Sequence, residues 1–128
     1  MSNELNWGMI KHFQSKEFDS PDSPGSGAIH MNLPFVYKLD YVRSIVGVPL
    51  KVNSGYRTPA HNKAVGGVSD SAHTHGLAAD IICESDMLRI QIVRAAIKAG
   101  ITRIGIGRTF VHLDGDLSLP TPRMWLYP

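Results

Sequence analysis

Apolar residues return at intervals of four, three and four from Phe35 through Leu39 and Val42 to Val46, the spacing of one buried helical stripe. Asn32, just ahead of them, can cap that helix, and Gly47 and Pro49 stop it. Residues 50–54 read as a short strand, and Thr58 followed by Pro59 predicts a brief helix broken at Gly66 and Gly67. Residues 77–83, LAADIIC, form an apolar run interrupted by one acid and read as a buried strand. Ser85 then opens a helix with Leu88, Ile92 and Ala96 on one side and Ile90, Val93 and Ile97 on another. Being apolar on two faces, it is expected to be sandwiched. Gly100 closes it, and strand-like segments at 103–107 and 109–114 lead into a tail carrying Trp125 and Tyr127. Those two aromatic residues read as core or edge packing. Earlier in the chain, residues 17–27, EFDSPDSPGSG, crowd Pro, Gly, Ser and Asp and are expected to be a surface loop. No internal repeat is visible. Helices mixed with short, hairpin-like strands predict an α+β fold, a small antiparallel sheet with helices packed on it.

Composition narrows the class of object. A chain of 128 residues with 43% hydrophobic and 19% charged residues is an ordinary globular composition, expected as one domain over residues 1–128. The net charge of +2 comes from 13 scattered Lys and Arg, which argues against nucleic acid as a partner. The single cysteine, Cys83, rules out an intramolecular disulfide; in a period-two strand it faces away from Asp80 and belongs to the core. The opening residues lack a basic head followed by an apolar stretch, and no segment approaches the roughly 20 apolar residues of a membrane span. No membrane association and no export signal are expected.

Chemistry concentrates in residues 71–80, SAHTHGLAAD, and residues 110–114, FVHLD. His73 precedes a strand, Asp80 lies within it, and His112 lies in a later strand that can pair beside it. Two imidazoles and one carboxylate are the donor set of a catalytic zinc, which keeps a fourth position for water, whereas structural zinc is usually closed by four Cys-rich ligands. On spacing alone, a buried His hydrogen-bonded to an Asp accounts for the same residues.

The blocks SGYRTPAHNKAVGG at 54–67, Ser71-x-His73-x-x-Gly76-x-Ala78-x-Asp80, and Val111-His112-Leu113-Asp114 resemble the zinc D-alanyl-D-alanine carboxypeptidase family. That family includes phage endolysins that cut the L-alanyl-D-glutamate bond, murein endopeptidases and, more distantly, the hedgehog signalling domain. The resemblance implies Zn2+ held by His73, Asp80 and His112, a substrate cleft bordered by Arg57 and Ser71, and the family's compact α+β core. Peptidoglycan stem peptides are the implied substrate. Small size and the missing export signal match a monomeric phage lysis or virion enzyme, made in the bacterial cytoplasm and acting on the wall after release. Gly76, between two of the implied ligands, lets the chain turn sharply enough to return His73 over Asp80.

One departure affects the mechanism. Several family members carry Glu or Asp three residues before the last zinc-binding His, as general base; position 109 here is Thr. Asp114 is the nearest acidic candidate, since in a strand it shares the face of His112 about 6.5–7 Å along the chain. The alternative is that Asp114 orients His112. Of the remaining histidines, His75 reads as a solvated loop residue beside the cleft, His12 and His61 as surface residues, and nothing ties His30 to the metal. The rival from another functional class is a non-catalytic zinc-binding interaction module of the same fold.

Overall fold

The computed structural model describes residues 5–128; residues 1–4 of the expected domain lie outside it. Four helices and five strands follow in the order α1 (Ser26–His30), α2 (Leu33–Val46), β1 (Val52–Ser54), α3 (Pro59–Ala64), β2 (Ala78–Ile82), α4 (Asp86–Lys98), β3 (Arg103–Ile106), β4 (Phe110–Asp114) and β5 (Arg123–Leu126). The helix boundaries follow their caps. Asn32 Oδ1 accepts from the Phe35 amide at 2.9 Å, the Thr58 hydroxyl from His61 at 3.0 Å and the Ser85 hydroxyl from Leu88 at 3.2 Å, each satisfying a helix-end amide that has no partner within its helix. Gly47 ends α2 with φ of 78°, in the left-handed region that glycine enters without steric cost.

The fold is α+β, as the pattern predicts, with one difference in the sheet. The strand order is β1-β2-β4-β3-β5, and every pairing is antiparallel except β3 with β5, which is parallel. β5 returns to the far side of β3 instead of extending the hairpin, so the sheet is mixed. Tyr127, expected in the tail, follows this added edge strand.

Alternation along the strands divides the sheet into two faces. Ala79, Ile81, Ile104, Val111 and Leu113 are buried in one core with Phe35, Val36, Leu39 and Val42 of α2 and Ile92, Ala95 and Ala96 of α4. The other face carries Asp80, Arg103, His112, Asp114 and Trp125. Cys83 is buried and belongs to the core cluster. The expectation that α4 is sandwiched does not hold: Ile90 and Ile97 are exposed, because α4 packs chiefly against α2 and the sheet on its other side. Residues 17–27 are also less loop-like than their composition suggests. Phe18, Ser20 and Ser26 are buried, Asp19 accepts from the amides of Gly25 and Gly27, and α1 begins at Ser26. Asp19 and Ser26 here bind local backbone, while the Ser20 hydroxyl donates to Asp22 and accepts from the Thr58 amide. Among the described residues no helix is long and apolar enough to cross a membrane.

The first segment is tied down by a buried acid. Asp40 of α2 accepts from the amides of Lys11 and His12 at 2.9 and 2.8 Å, and Ile10 and Phe13 on either side enter the core. Gly76 serves the site directly. Its φ is 69°, its carbonyl accepts from the Asn32 amide at 2.9 Å, and a Cβ there would overlap the His30 carbonyl. Gly76→Ala should therefore destabilise the protein by roughly 2–4 kcal/mol, combining left-handed strain with backbone overlap. Denaturant unfolding checks this, and a loss below about 1 kcal/mol would show that the α1–α2 junction yields easily.

Candidate metal centre

The two central strands and one short turn converge on a single cluster. Asp80 of β2 and His112 of β4 are directly paired in the register, so their side chains leave the same face side by side. His73 arrives from a 3-10 turn, Ala72–His75, capped by the Ser71 hydroxyl, which accepts from the His73 amide at 3.2 Å. The donor atoms of His73, Asp80 and His112 all lie within 4.8 Å of one another, and all three residues are buried. His112 Nδ1 is 2.8 Å and His73 Nε2 3.4 Å from Asp80 Oδ1. Ligands about 2.0–2.2 Å from a tetrahedral zinc stand roughly 3.3 Å apart, so the donor set fits such an ion with small adjustments.

The outward-facing ring atoms support that fit. His73 Nδ1 lies 2.7 Å from the Gly55 carbonyl, to which it donates, leaving Nε2 as a lone-pair donor towards the cluster. His112 Nε2 lies 2.7 Å from Asp114 Oδ2, leaving Nδ1 for the cluster. Each imidazole thus has its second nitrogen held by an oxygen acceptor, which fixes tautomer and ring direction as metal-bound histidines require. Without an ion, burial alone would raise the Asp80 carboxyl, but hydrogen bonds from His112 and His73 hold it well below its usual range. Burial likewise works against a charged His112, but Asp114 and Asp80 on its two sides raise its pKa. A positive charge between the two carboxylates is favoured.

Asp114 shares the His112 face, and its contacts there bear on the base role expected from the sequence. It is 1% exposed. One oxygen meets His112 Nε2; the other accepts from Arg103 Nε at 2.8 Å and the Asp116 amide at 3.2 Å. Both oxygens are engaged on the side of His112 away from Asp80, contacts that suit the alternative in which Asp114 orients the imidazole. Arg103, directly opposite Asp114 in β3, is a site residue that the sequence pattern did not single out. Its one signal was a cation inside an otherwise apolar strand, since a buried charge demands a partner.

Arg57 reaches the cluster from the segment after β1. Its Nη2 stands 3.6 Å from Asp80 Oδ2, while Nε donates to Ser54 Oγ and Nη1 to Asn62 Oδ1, both at 3.1 Å. Asn62 is buried and also donates to the Val68 carbonyl at 2.9 Å, tying Arg57 to the loop beyond α3. Ser71 lines the cleft, but its hydroxyl is occupied with capping. His75 is not simply solvated: its ring nitrogens meet Asp116 at 2.9 Å and Asp70 at 2.7 Å, a clamp between the two loops beside the cluster. His30 stacks on Tyr56 with ring centroids 4.5 Å apart, and His12 meets Ser44; neither approaches the cluster.

The cluster opens into a cavity of about 660 Å³ lined by Arg57, the 65–72 segment, Arg103, Phe110, Arg123, Trp125 and Tyr127. Trp125 was expected to be packing. Its ring lies 5.5 Å from the His112 ring and 4.9 Å from the Arg103 guanidinium.

Comparison with known families gives a match to the family described as peptidase M15, covering residues 11–114, well over half of the chain and including every residue of the His-Asp-His cluster. No curated protein matches the chain.

Asp114→Asn keeps the shape of the side chain but removes the charge that holds His112 and Arg103. If Asp114 positions His112, this change should weaken divalent-ion affinity by about 10- to 100-fold in a chelator competition, and activity should return at saturating ion. Parental affinity with a lost kcat would restore the base role instead.

Proposed function

The chain belongs to the peptidase M15 family, and on that premise we propose that it is a zinc peptidase that hydrolyses the stem peptides of bacterial peptidoglycan. The observation that carries this reading is the buried convergence of His73, Asp80 and His112, with both outer imidazole nitrogens held by oxygen acceptors. In such a site zinc, when bound, lowers the pKa of a coordinated water towards about 7 and polarises the scissile carbonyl.

The chain's own residues have distinct roles in this reading. His73 and His112 each present one nitrogen, directed by the Gly55 carbonyl and by Asp114, and Asp80 contributes an anionic oxygen. Arg103 holds Asp114 in place through its Nε donor. Arg57, whose guanidinium is already aimed by Ser54 and Asn62, is placed to pair with a carboxylate of the bound peptide through a planar fork of donors. The anionic character of wall peptides makes them the substrate class that uses this arrangement. A phage lysis or virion setting is part of the same proposal and rests on the resemblance in the three sequence blocks.

A second reading has a specific observation in its favour. Thr109 stands where an acid serves as base in several family members, and Asp114 is engaged with His112 and Arg103. A non-catalytic zinc-binding module of the same fold would carry these features. Digestion of purified peptidoglycan with and without chelator separates the two, with release of new free amino groups as the readout.

The expected outcome is chelator-sensitive cleavage by protein holding about one equivalent of zinc. His73→Ala and His112→Ala should lose the metal, and the metal-free parent should melt at lower temperature, because an ion that binds only the folded form stabilises it. Full zinc occupancy in both variants would overturn the ligand assignment. Zinc-loaded parent that releases no amino groups would favour the non-catalytic module.

Arg57→Lys should retain zinc but lower kcat/KM on wall peptides by about 10-fold or more, since an ammonium group cannot reproduce the bidentate geometry. A parental kcat/KM in this variant would assign Arg57 to structure alone.

A further inference from the structure

β5 lies outside the segment matched to the peptidase family, yet it supplies part of the cavity wall. Its register explains how. Arg103 pairs with Arg123 and Gly105 with Trp125, while the same two β3 residues pair on their other side with Asp114 and His112. Residues 123 and 125 therefore stand on the cluster's face of the sheet. Tyr127 continues that parity, and its amide donates to the Ile106 carbonyl at 2.8 Å, so the backbone is held to β3 beyond the end of the strand.

Gly105 is what lets these rings reach the cluster. A Cβ at this position would stand 2.6 Å from Tyr127 Cε2 and 2.8 Å from Trp125 Nε1. The absence of a side chain opens a gap in the sheet surface between β4 and β5, and both rings lean across it. The Tyr127 ring centroid comes to 6.4 Å from that of His112 and 4.9 Å from that of Phe110. The residue is nevertheless 36% exposed. A ring serving packing alone would be covered on both sides, whereas this one rests on Phe110 and Trp125 and leaves the remainder to the cavity that also contains Asp80 and Arg57.

We infer that Tyr127 is a substrate-contacting residue of the cleft, whose ring forms the wall beside the His-Asp-His cluster and whose hydroxyl donates a hydrogen bond to the bound peptide. This rests on the peptidase reading above and deepens it. Tyrosine chemistry suits such a contact, because the ring offers apolar area at little cost in conformational entropy and the phenol is a donor at neutral pH that a peptide carbonyl can accept.

The test compares Tyr127→Phe with the parent in two assays, using a synthetic stem peptide that the parent cleaves. In the first, zinc-loaded protein is assayed for cleavage, and zinc content and melting temperature are recorded alongside. Loss of the hydroxyl should lower kcat/KM by about 10-fold or more with zinc content and melting temperature at parental values. In the second, calorimetric titration of the metal-free protein with the same peptide should show affinity about 3- to 10-fold weaker in the variant. Parental kcat/KM and affinity in Tyr127→Phe would overturn the inference while leaving the peptidase reading intact, and so would loss of zinc from the variant, which would place Tyr127 in the support of the metal site. A parent that neither binds nor cleaves any stem peptide would overturn the peptidase reading and take this inference with it.

Discussion

The side-by-side pairing of Asp80 with His112 in the middle of the sheet is the constraint on which the rest of the site is built. Successive residues of a strand point to opposite faces, so a slip of one residue between β2 and β4 would send one of these side chains into the apolar core. Register is therefore set twice. Ala79, Ile81, Val111 and Leu113 fix it from the core side by burial, and the contact between Asp80 and His112 fixes it from the polar side. The buried row continues through Asp114 to Arg103, where a carboxylate and a guanidinium satisfy each other. Breaking such a pair on one side leaves an uncompensated charge, a cost of about 3–5 kcal/mol, so these strands tolerate few arrangements besides this one.

Much of this was legible in the sequence because it depends on local rules. The stripe from Phe35 to Val46, the caps at Asn32, Thr58 and Ser85, and the strand around Asp80 each leave a signature within a few residues. The three elements of the His-Asp-His cluster were legible as motif blocks, and strand parity correctly put Asp114 on the face of His112. What parity could not supply was the partner of each oxygen. Arg103 lies 11 positions before Asp114 in the chain, and only the β3–β4 pairing reveals that it commits the carboxylate. The same holds for α4, where periodicity located two apolar faces but could not tell which one a neighbouring element would cover.

The parallel placement of β5 was the least legible feature. Nothing local distinguishes a tail that pads the core from an edge strand that crosses back to join β3, since the choice is decided by long-range pairing. Gly105 carried a trace of the answer: a glycine within an apolar strand often marks the close approach of another group. Here the approaching groups are Trp125 and Tyr127. Residues 17–27 present the opposite case. Their composition is that of a loop, but the Asp19 carboxylate and the Ser26 hydroxyl turn the polar groups inward onto backbone amides, and Phe18 is free to be buried.

The strand order also separates two kinds of change over evolutionary time. The cluster draws on β2 and β4, which are hydrogen-bonded on both sides and whose neighbours leave little freedom for substitution. One flank of its cleft is provided by β5 at the margin of the sheet, hydrogen-bonded on one side only, where Arg123 and Tyr127 meet solvent. A lineage carrying this fold can vary the reach and polarity of that flank while the His-Asp-His cluster stays constant. Laboratory reshaping of the cleft therefore has most room to work at positions 123 to 127.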